Sequence, residues 1–158
     1  MAETPQLHAA LDPLAFLLGT WQGSGHGDYS TIEAFAYRET ASYTHVGKPF
    51  IIYSQRTHDA LTGAPLHTET GYLRPVSPSR CELVLSQPSG IVEMHEVVVS
   101  GSSLDMSTTA VLGTATAKPA AGVRRHIAVQ HDVMNYTLEM AAMGLEMQFH
   151  LSAELRRA

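Results

Sequence analysis

Leu18-Gly19-Thr20-Trp21-Gln22-Gly23-Ser24-Gly25 is the stretch on which the reading of this chain turns. It is a Gly-x-Trp-x-Gly-x-Gly string at the point where a short helix gives way to the first strand of an all-β domain. Glycines this dense let backbone and ligand approach closely. Trp21 is the only tryptophan of the chain, and its large flat side chain suits a barrel end or the floor of a pocket.

Upstream of the string, Asp12 and Pro13 read as a helix start, with Asp as the cap and Pro at the first helical position. Leu14, Leu17 and Leu18 then share a face, and Gly19 stops the helix. Such a helix is short and is expected to lid one end of a barrel. Downstream, the period changes to two: Phe35, Tyr37, Glu39, Ala41 and Tyr43 alternate along one strand face. Further strands read as residues 50–57, 66–76, 81–86, 91–99, 104–110, 123–130, 134–142 and 145–155, separated by Gly, Pro and Ser turn signals. Residues 111–122 read as the one long loop. Roughly ten strands joined by short turns predict an antiparallel up-and-down β-barrel, calycin-like or lipocalin-like. A barrel of that size encloses a cavity, which is by default a small-molecule site.

The length of 158 residues fits a single domain, residues 1–158. A formal charge of −5 with no basic run predicts no nucleic-acid partner. No apolar stretch approaches the ~20 residues that span a bilayer. A lone Cys81 rules out an internal disulfide, and residues 1–18 lack a basic segment with a small-residue cleavage site, so a cytoplasmic location is expected. A homodimer is left open.

Nine histidines invite a metal or haem hypothesis. His150 lies in the last strand, where Leu145, Met147, Phe149, Leu151, Ala153 and Leu155 share one face. If that apolar face lines the cavity, His150 points outward; if the opposite face does, His150 is inside. His67-Thr68-Glu69 puts an imidazole and a carboxylate on one strand face, and with His126 or His131 would complete a two-His-one-carboxylate site for non-haem iron. Nucleophilic catalysis finds little support, because Cys81 has no neighbouring base and no Gly-x-Ser-x-Gly elbow is present.

The glycine–tryptophan string, with Tyr29-Ser30-Thr31-Ile32, His45-Val46-Gly47-Lys48-Pro49-Phe50, Leu66-His67-Thr68-Glu69-Thr70-Gly71 and His150-Leu151, resembles the nitrobindin family of small haem-binding β-barrels. Ser30 stands where that family carries Pro. The resemblance implies one ferric haem b per subunit, with His150 as the axial ligand to the iron and Thr31 in contact with the haem. It places His67 and Gln87 near the distal side. Arg125, and less surely Lys118, are candidates to pair with the propionates. Gly19, Trp21, Gly23 and Gly25 form its motif. The implied activity is isomerisation of peroxynitrite to nitrate, with nitric oxide as a further ligand and no catalytic residue beyond the iron. The alternative is a non-catalytic barrel that carries a fatty acid or another apolar ligand.

Overall fold

A computed structural model describes residues 3–158, and Met1 and Ala2, where the leader and single-domain readings begin, lie outside the described residues. Ten strands form one closed barrel: β1 (Gly19–Tyr29), β2 (Ile32–Thr44), β3 (Ile51–Asp59), β4 (Pro65–Ser77), β5 (Arg80–Ser86), β6 (Ile91–Ser100), β7 (Ser103–Gly113), β8 (Ala120–Gln130), β9 (Val133–Ala142) and β10 (Gln148–Arg157). Each strand pairs antiparallel with its neighbours in sequence, and β1 closes on β10 from Trp21 opposite Arg157 to Gly27 opposite Leu151. Closure leaves no strand edge to template aggregation. The long loop expected at 111–122 shrinks to 114–119. Val111, Leu112 and Gly113 continue β7 because they pair with Glu93, Val92 and Ile91 of β6.

Up-and-down order puts the turns at two ends. The turns after β1, β3, β5, β7 and β9 frame an open mouth. The opposite end is shut by a 3-10 helix, Ala9–Leu17. It starts three residues before the expected Asp12 cap, and His8 is the cap instead: its Nδ1 accepts from the Ala10 N–H at 3.1 Å. Leu11, Leu14 and Leu17, not Leu18, form the buried face. A 3-10 helix has three residues per turn, so a spacing of three stacks all three side chains on the barrel end.

Trp21 is fully buried beneath this helix. Its indole Nε1 donates to the Leu17 carbonyl at 2.8 Å, which ties helix to strand. The Arg157 guanidinium lies 4.2 Å over the indole ring and donates to the Leu18 and Phe16 carbonyls and to Asp132. One cation thereby satisfies the helix's last carbonyls and covers the ring. Trp21 plugs the closed end and does not floor the pocket.

The glycines fulfil the backbone half of the expected role and not the ligand half. Gly23, Gly25 and Gly27 occupy successive inward positions of β1. A Cβ on Gly23 would meet the Glu154 carbonyl oxygen at 2.0 Å, on Gly25 the Tyr37 ring at 2.5 Å, and on Gly27 the Phe35 ring at 2.4 Å. They admit the β10 backbone and two aromatic rings of β2, not a ligand. Gly19, at φ +126°, turns the chain from helix into strand.

Replacing Trp21 by Ala removes the plug, the Leu17 bond and the cation–π contact together. The expected loss is ~3–5 kcal/mol, a drop in Tm on the order of 10 °C for a domain of this size. Thermal unfolding followed by circular dichroism reads it, and an unchanged Tm would contradict the buried placement.

Candidate functional site

The barrel encloses a cavity of about 910 Å³ that opens at the mouth. Its upper wall is apolar, with Ile32, Phe35, Leu66, Leu138, Met140 and Leu151 among the lining residues. Thr31, Ser89, Thr116 and Lys118 stand at the rim on three of the mouth turns.

His150 reaches this cavity through a defect in strand pairing. Phe149 is opposite Glu139 of β9 and Leu151 is opposite Leu138, so His150 is an extra residue, a β-bulge. The bulge breaks the alternation that would set His150 and Leu151 on opposite faces. Both line the cavity, while Phe149 turns outward and is 40 % exposed. The strand also starts later than expected: Leu145 and Met147 belong to the turn, where Met143 and Gly144 take φ of 56° and 75°. The apolar face read across residues 145–155 therefore holds only from Leu151 onward.

The His150 ring is placed by two contacts. Nδ1 lies 3.2 Å from the Asp28 carbonyl, and the Tyr29 ring stands edge-on with centroids 5.3 Å apart. A carbonyl only accepts, so Nδ1 carries the proton and Nε2 keeps its lone pair. Burial lowers the imidazole pKa from its ordinary value, outweighing the Asp28 carbonyl, and His67 lowers it further. A neutral imidazole with one nitrogen anchored to the backbone and the other free is the arrangement that metal-ligating histidines adopt.

Below the apolar wall lies a polar tier. Arg125 of β8 donates to Glu69 of β4 at 2.7 and 3.4 Å and to Glu93 of β6 at 3.2 Å. Glu69 also accepts from the Tyr53 hydroxyl at 2.8 Å. Glu93 accepts from the Gln87 amide at 2.7 Å and stands 2.8 Å from Nε2 of the buried His95. Glu39 of β2 accepts from the Tyr136 hydroxyl, which shares a 2.6 Å hydrogen bond with Tyr37. Burial works to raise the Glu69 and Glu93 carboxyls. Arg125 and the hydrogen bonds from His67, for Glu69, and His95, for Glu93, outweigh it and hold both below the usual range. Glu39 has no such cation against it, and burial pushes its carboxyl up to about 7.

The expected site residues thus separate. Thr31, His67, Gln87, Arg125 and His150 all line one cavity. Arg125, however, does not sit at the rim as a cation for propionates. Its guanidinium is side-chain-buried and committed to Glu69 and Glu93. Lys118 is the cation at the rim. His67 and Gln87 are each held by a buried carboxylate, His67 at 3.3 Å from Glu69. The non-haem iron alternative fails on β8. His126 points outward to Asp105, His131 sits in a turn at the closed end, and Arg125 takes the place a metal would need between the carboxylates. Among the described residues no group of three or more His, Cys, Asp or Glu is placed to hold a metal ion. Cys81 is buried, and burial pushes its thiol up to about 11, so it is no nucleophile.

Gln55, Glu93, His95 and Tyr136 escaped the sequence reading. Polar residues that replace apolar ones on an inward face were the available signal. On β6 that signal is masked, because Val92, Met94 and Val98 face out while Glu93 and His95 face in.

Glu39 makes stability depend on pH in a defined window. Its carboxyl titrates at about 7 in the folded chain and about 4.5 unfolded, so the folded state holds the extra proton between those values. Stability therefore falls as pH rises across the window, by about 3 kcal/mol in all. Glu39→Gln is expected to flatten that slope. Urea unfolding at several pH values between about 4.5 and 7.5 measures it, and an equal slope in both proteins would show that Glu39 is not the titrating group.

Residues 10–157 match the family model described as the THAP4-like, heme-binding beta-barrel domain. A protein named peroxynitrite isomerase 2 from Mycobacterium marinum is 49 % identical over 155 residues, covering 96 % of each chain. The peroxynitrite isomerase of Nocardia farcinica is 44 % identical, with 96 % of this chain and 92 % of that one covered. The crystal structure of Rv2717c from M. tuberculosis superposes with a TM-score of 0.91 at 40 % identity, covering 97 % of this chain and 99 % of the other. Fold, cavity and sequence converge: this chain belongs to the THAP4-like haem-binding β-barrels, the nitrobindins.

Proposed function

We propose that the chain is a haem-dependent peroxynitrite isomerase that converts peroxynitrite to nitrate, and that nitric oxide is a further ligand of the same site. The observation that carries this reading is the bulged His150, whose anchored Nδ1 leaves Nε2 as a free, neutral donor inside an apolar cavity mouth.

The residues present fit a haem. His150 Nε2 would hold the iron. The apolar upper wall would pack the macrocycle, and Thr31 and Lys118 at the rim have the chemistry to meet its propionates. Bound there, ferric haem supplies Lewis-acid and redox chemistry toward the O–O bond of peroxynitrite.

The chain's own part in the reaction is restraint. Peroxynitrite and nitrate have the same atoms and charge, so no proton needs to be delivered or removed overall. The reaction therefore asks no acid–base pair of the site, unlike the heterolytic cleavage of hydrogen peroxide by a peroxidase. His67, through Nε2, and Gln87, through its amide, are held by Glu69 and Glu93. The backbone anchor at Asp28 prevents His150 from swinging out of the cavity and fixes which nitrogen faces it.

The polar tier argues against carriage of a fatty acid. An acyl chain extending past the upper wall would lie against ionised Glu69 and Glu93 and the Arg125 guanidinium in the middle of the cavity, and apolar matter gains nothing there.

Two measurements test the proposal. His150→Ala is expected to lose the Soret band of hemin-loaded protein while circular dichroism still reports a β-barrel. His67→Leu is expected to keep that band. A wild-type spectrum from His150→Ala would remove His150 as the ligand. In stopped-flow experiments, haem-loaded protein is expected to speed peroxynitrite loss over the haem-free chain, with nitrate as the main product. Equal rates for the two forms would defeat the isomerase reading.

A further inference from the structure

The polar tier is richer in acceptors than its own donors can use. Glu39, Glu69 and Glu93 are all buried and face the cavity, where the Arg125 guanidinium, 11 % exposed, stands against them. Arg125 is shared between Glu69 and Glu93 and makes no hydrogen bond to Glu39. The Glu39 carboxylate is left with neutral neighbours, the Tyr136 hydroxyl and the Gln55 amide.

Gln55 marks the gap. It sits on β3 directly opposite Glu69 of β4, and its neighbour Thr57 is opposite Glu39 of β2, so Gln55 lies between the two carboxylates. The residue is only 6 % exposed, it lines the cavity, and its Oε1 has no hydrogen-bond partner among the described residues. A buried carbonyl oxygen without a donor costs about 1–3 kcal/mol, and native chains rarely leave one so. A ligand suited to this tier has N–H groups to donate, positive charge to set against Glu39, and little bulk. Tyr43, Tyr53 and Ala41 surround this end of the cavity with apolar surface, which suits a short carbon body.

We infer that the inner tier is a binding site for a small organic cation of the guanidinium or primary ammonium kind, held by the Glu39 carboxylate and Gln55 Oε1. The inference is independent of the haem reading, because neither residue stands at the mouth beside His150. The cation's N–H groups would donate charge-assisted hydrogen bonds to both the Glu39 carboxylate and Gln55 Oε1. An aromatic wall from Tyr43 and Tyr53 would face the cation.

The site carries its own pH signature. The titratable and charged groups around Glu39 are Tyr37 and Tyr43 on β2, Tyr53 on β3, His67 and Glu69 on β4, Glu93 on β6, Arg125 on β8 and Tyr136 on β9. The tyrosines stay neutral, since burial first of all raises them. Glu69, Glu93 and Arg125 remain charged above pH 5. Glu39, at about 7, is the cavity carboxyl that changes charge near neutrality. A cation that binds its ionised form releases a proton. Affinity is then expected to rise roughly tenfold between pH 6 and 8.

The test is calorimetric titration of the full chain, haem-loaded and haem-free, with methylguanidinium. Tetramethylammonium serves as a control of equal charge without donors. Saturable binding of one methylguanidinium is expected in at least one form, rising with pH and absent for tetramethylammonium. Glu39→Gln keeps an acceptor for Tyr136 and should fold; it is expected to weaken binding by about tenfold or more and to abolish the pH dependence. Gln55→Met, which fills the same volume, is expected to weaken binding without removing that dependence. No saturable heat in either form, equal binding of tetramethylammonium, or undiminished affinity in Glu39→Gln would each overturn the inference.

Discussion

Closure of β1 on β10 is the constraint on which the rest of the molecule depends. The two strands come from opposite ends of the chain and must meet along their length to remove both edges. The inward face of β1 is nearly bare, with Gly23, Gly25 and Gly27 between Trp21 and Tyr29. Its missing side chains let the Glu154 carbonyl and the rings of Phe35 and Tyr37 press against the backbone. At one end of this seam Arg157 latches β10 to the helix and to Trp21. At the other, the β10 bulge turns His150 into the cavity and toward the Asp28 carbonyl of β1. The seam that shuts the barrel therefore also places the His150 imidazole, with its Nε2 free, at the mouth.

The interior divides by chemistry along the barrel axis. The closed end is apolar, built from Leu11, Leu14, Leu17, Trp21, Ile51 and Leu73. The middle carries charge. Removing one member of such a buried ion pair leaves the other uncompensated, at a cost of about 3–5 kcal/mol. Arg125 answers to two carboxylates at once, so β8 is fixed against β4 and β6 across the cavity by its guanidinium. That strut keeps the interior open where apolar side chains would have collapsed to fill it. It also holds Glu69 and Glu93 low, whereas Glu39, which makes no hydrogen bond to it, feels only a weaker pull and is raised by burial to titrate near neutrality.

Much of the fold was legible in the residues. Alternation groups Phe35, Tyr37, Glu39, Ala41 and Tyr43 on one face of β2, and that face lines the cavity, because a strand facing a cavity on one side and water on the other must alternate. Turn residues located the strand ends to within a few positions. The exceptions have physical causes. The helix adopts a three-residue period instead of 3.6, which exchanges Leu18 for Leu11. The long loop shortened because Gly, Ala and Thr say little about pairing, while the register with β6 decides it. Arg125 was assigned to the rim by its charge, yet strand register places it beside two carboxylates that are far away in sequence.

By itself, the sequence determined roughly ten antiparallel strands in up-and-down order, a short leucine-bearing helix lidding one end, and an enclosed cavity. These follow from periodicity and turn chemistry, which act over a few residues at a time. Only the tertiary structure decided which way His150 points, since a one-residue bulge reverses a strand's facing without leaving a mark in the local pattern. It alone also decided that Glu69, Glu93 and Arg125 form one buried cluster while Glu39 stands without a cation. Charges separated by dozens of residues acquire their partners, and hence their ionisation, when barrel closure brings their strands around a common interior.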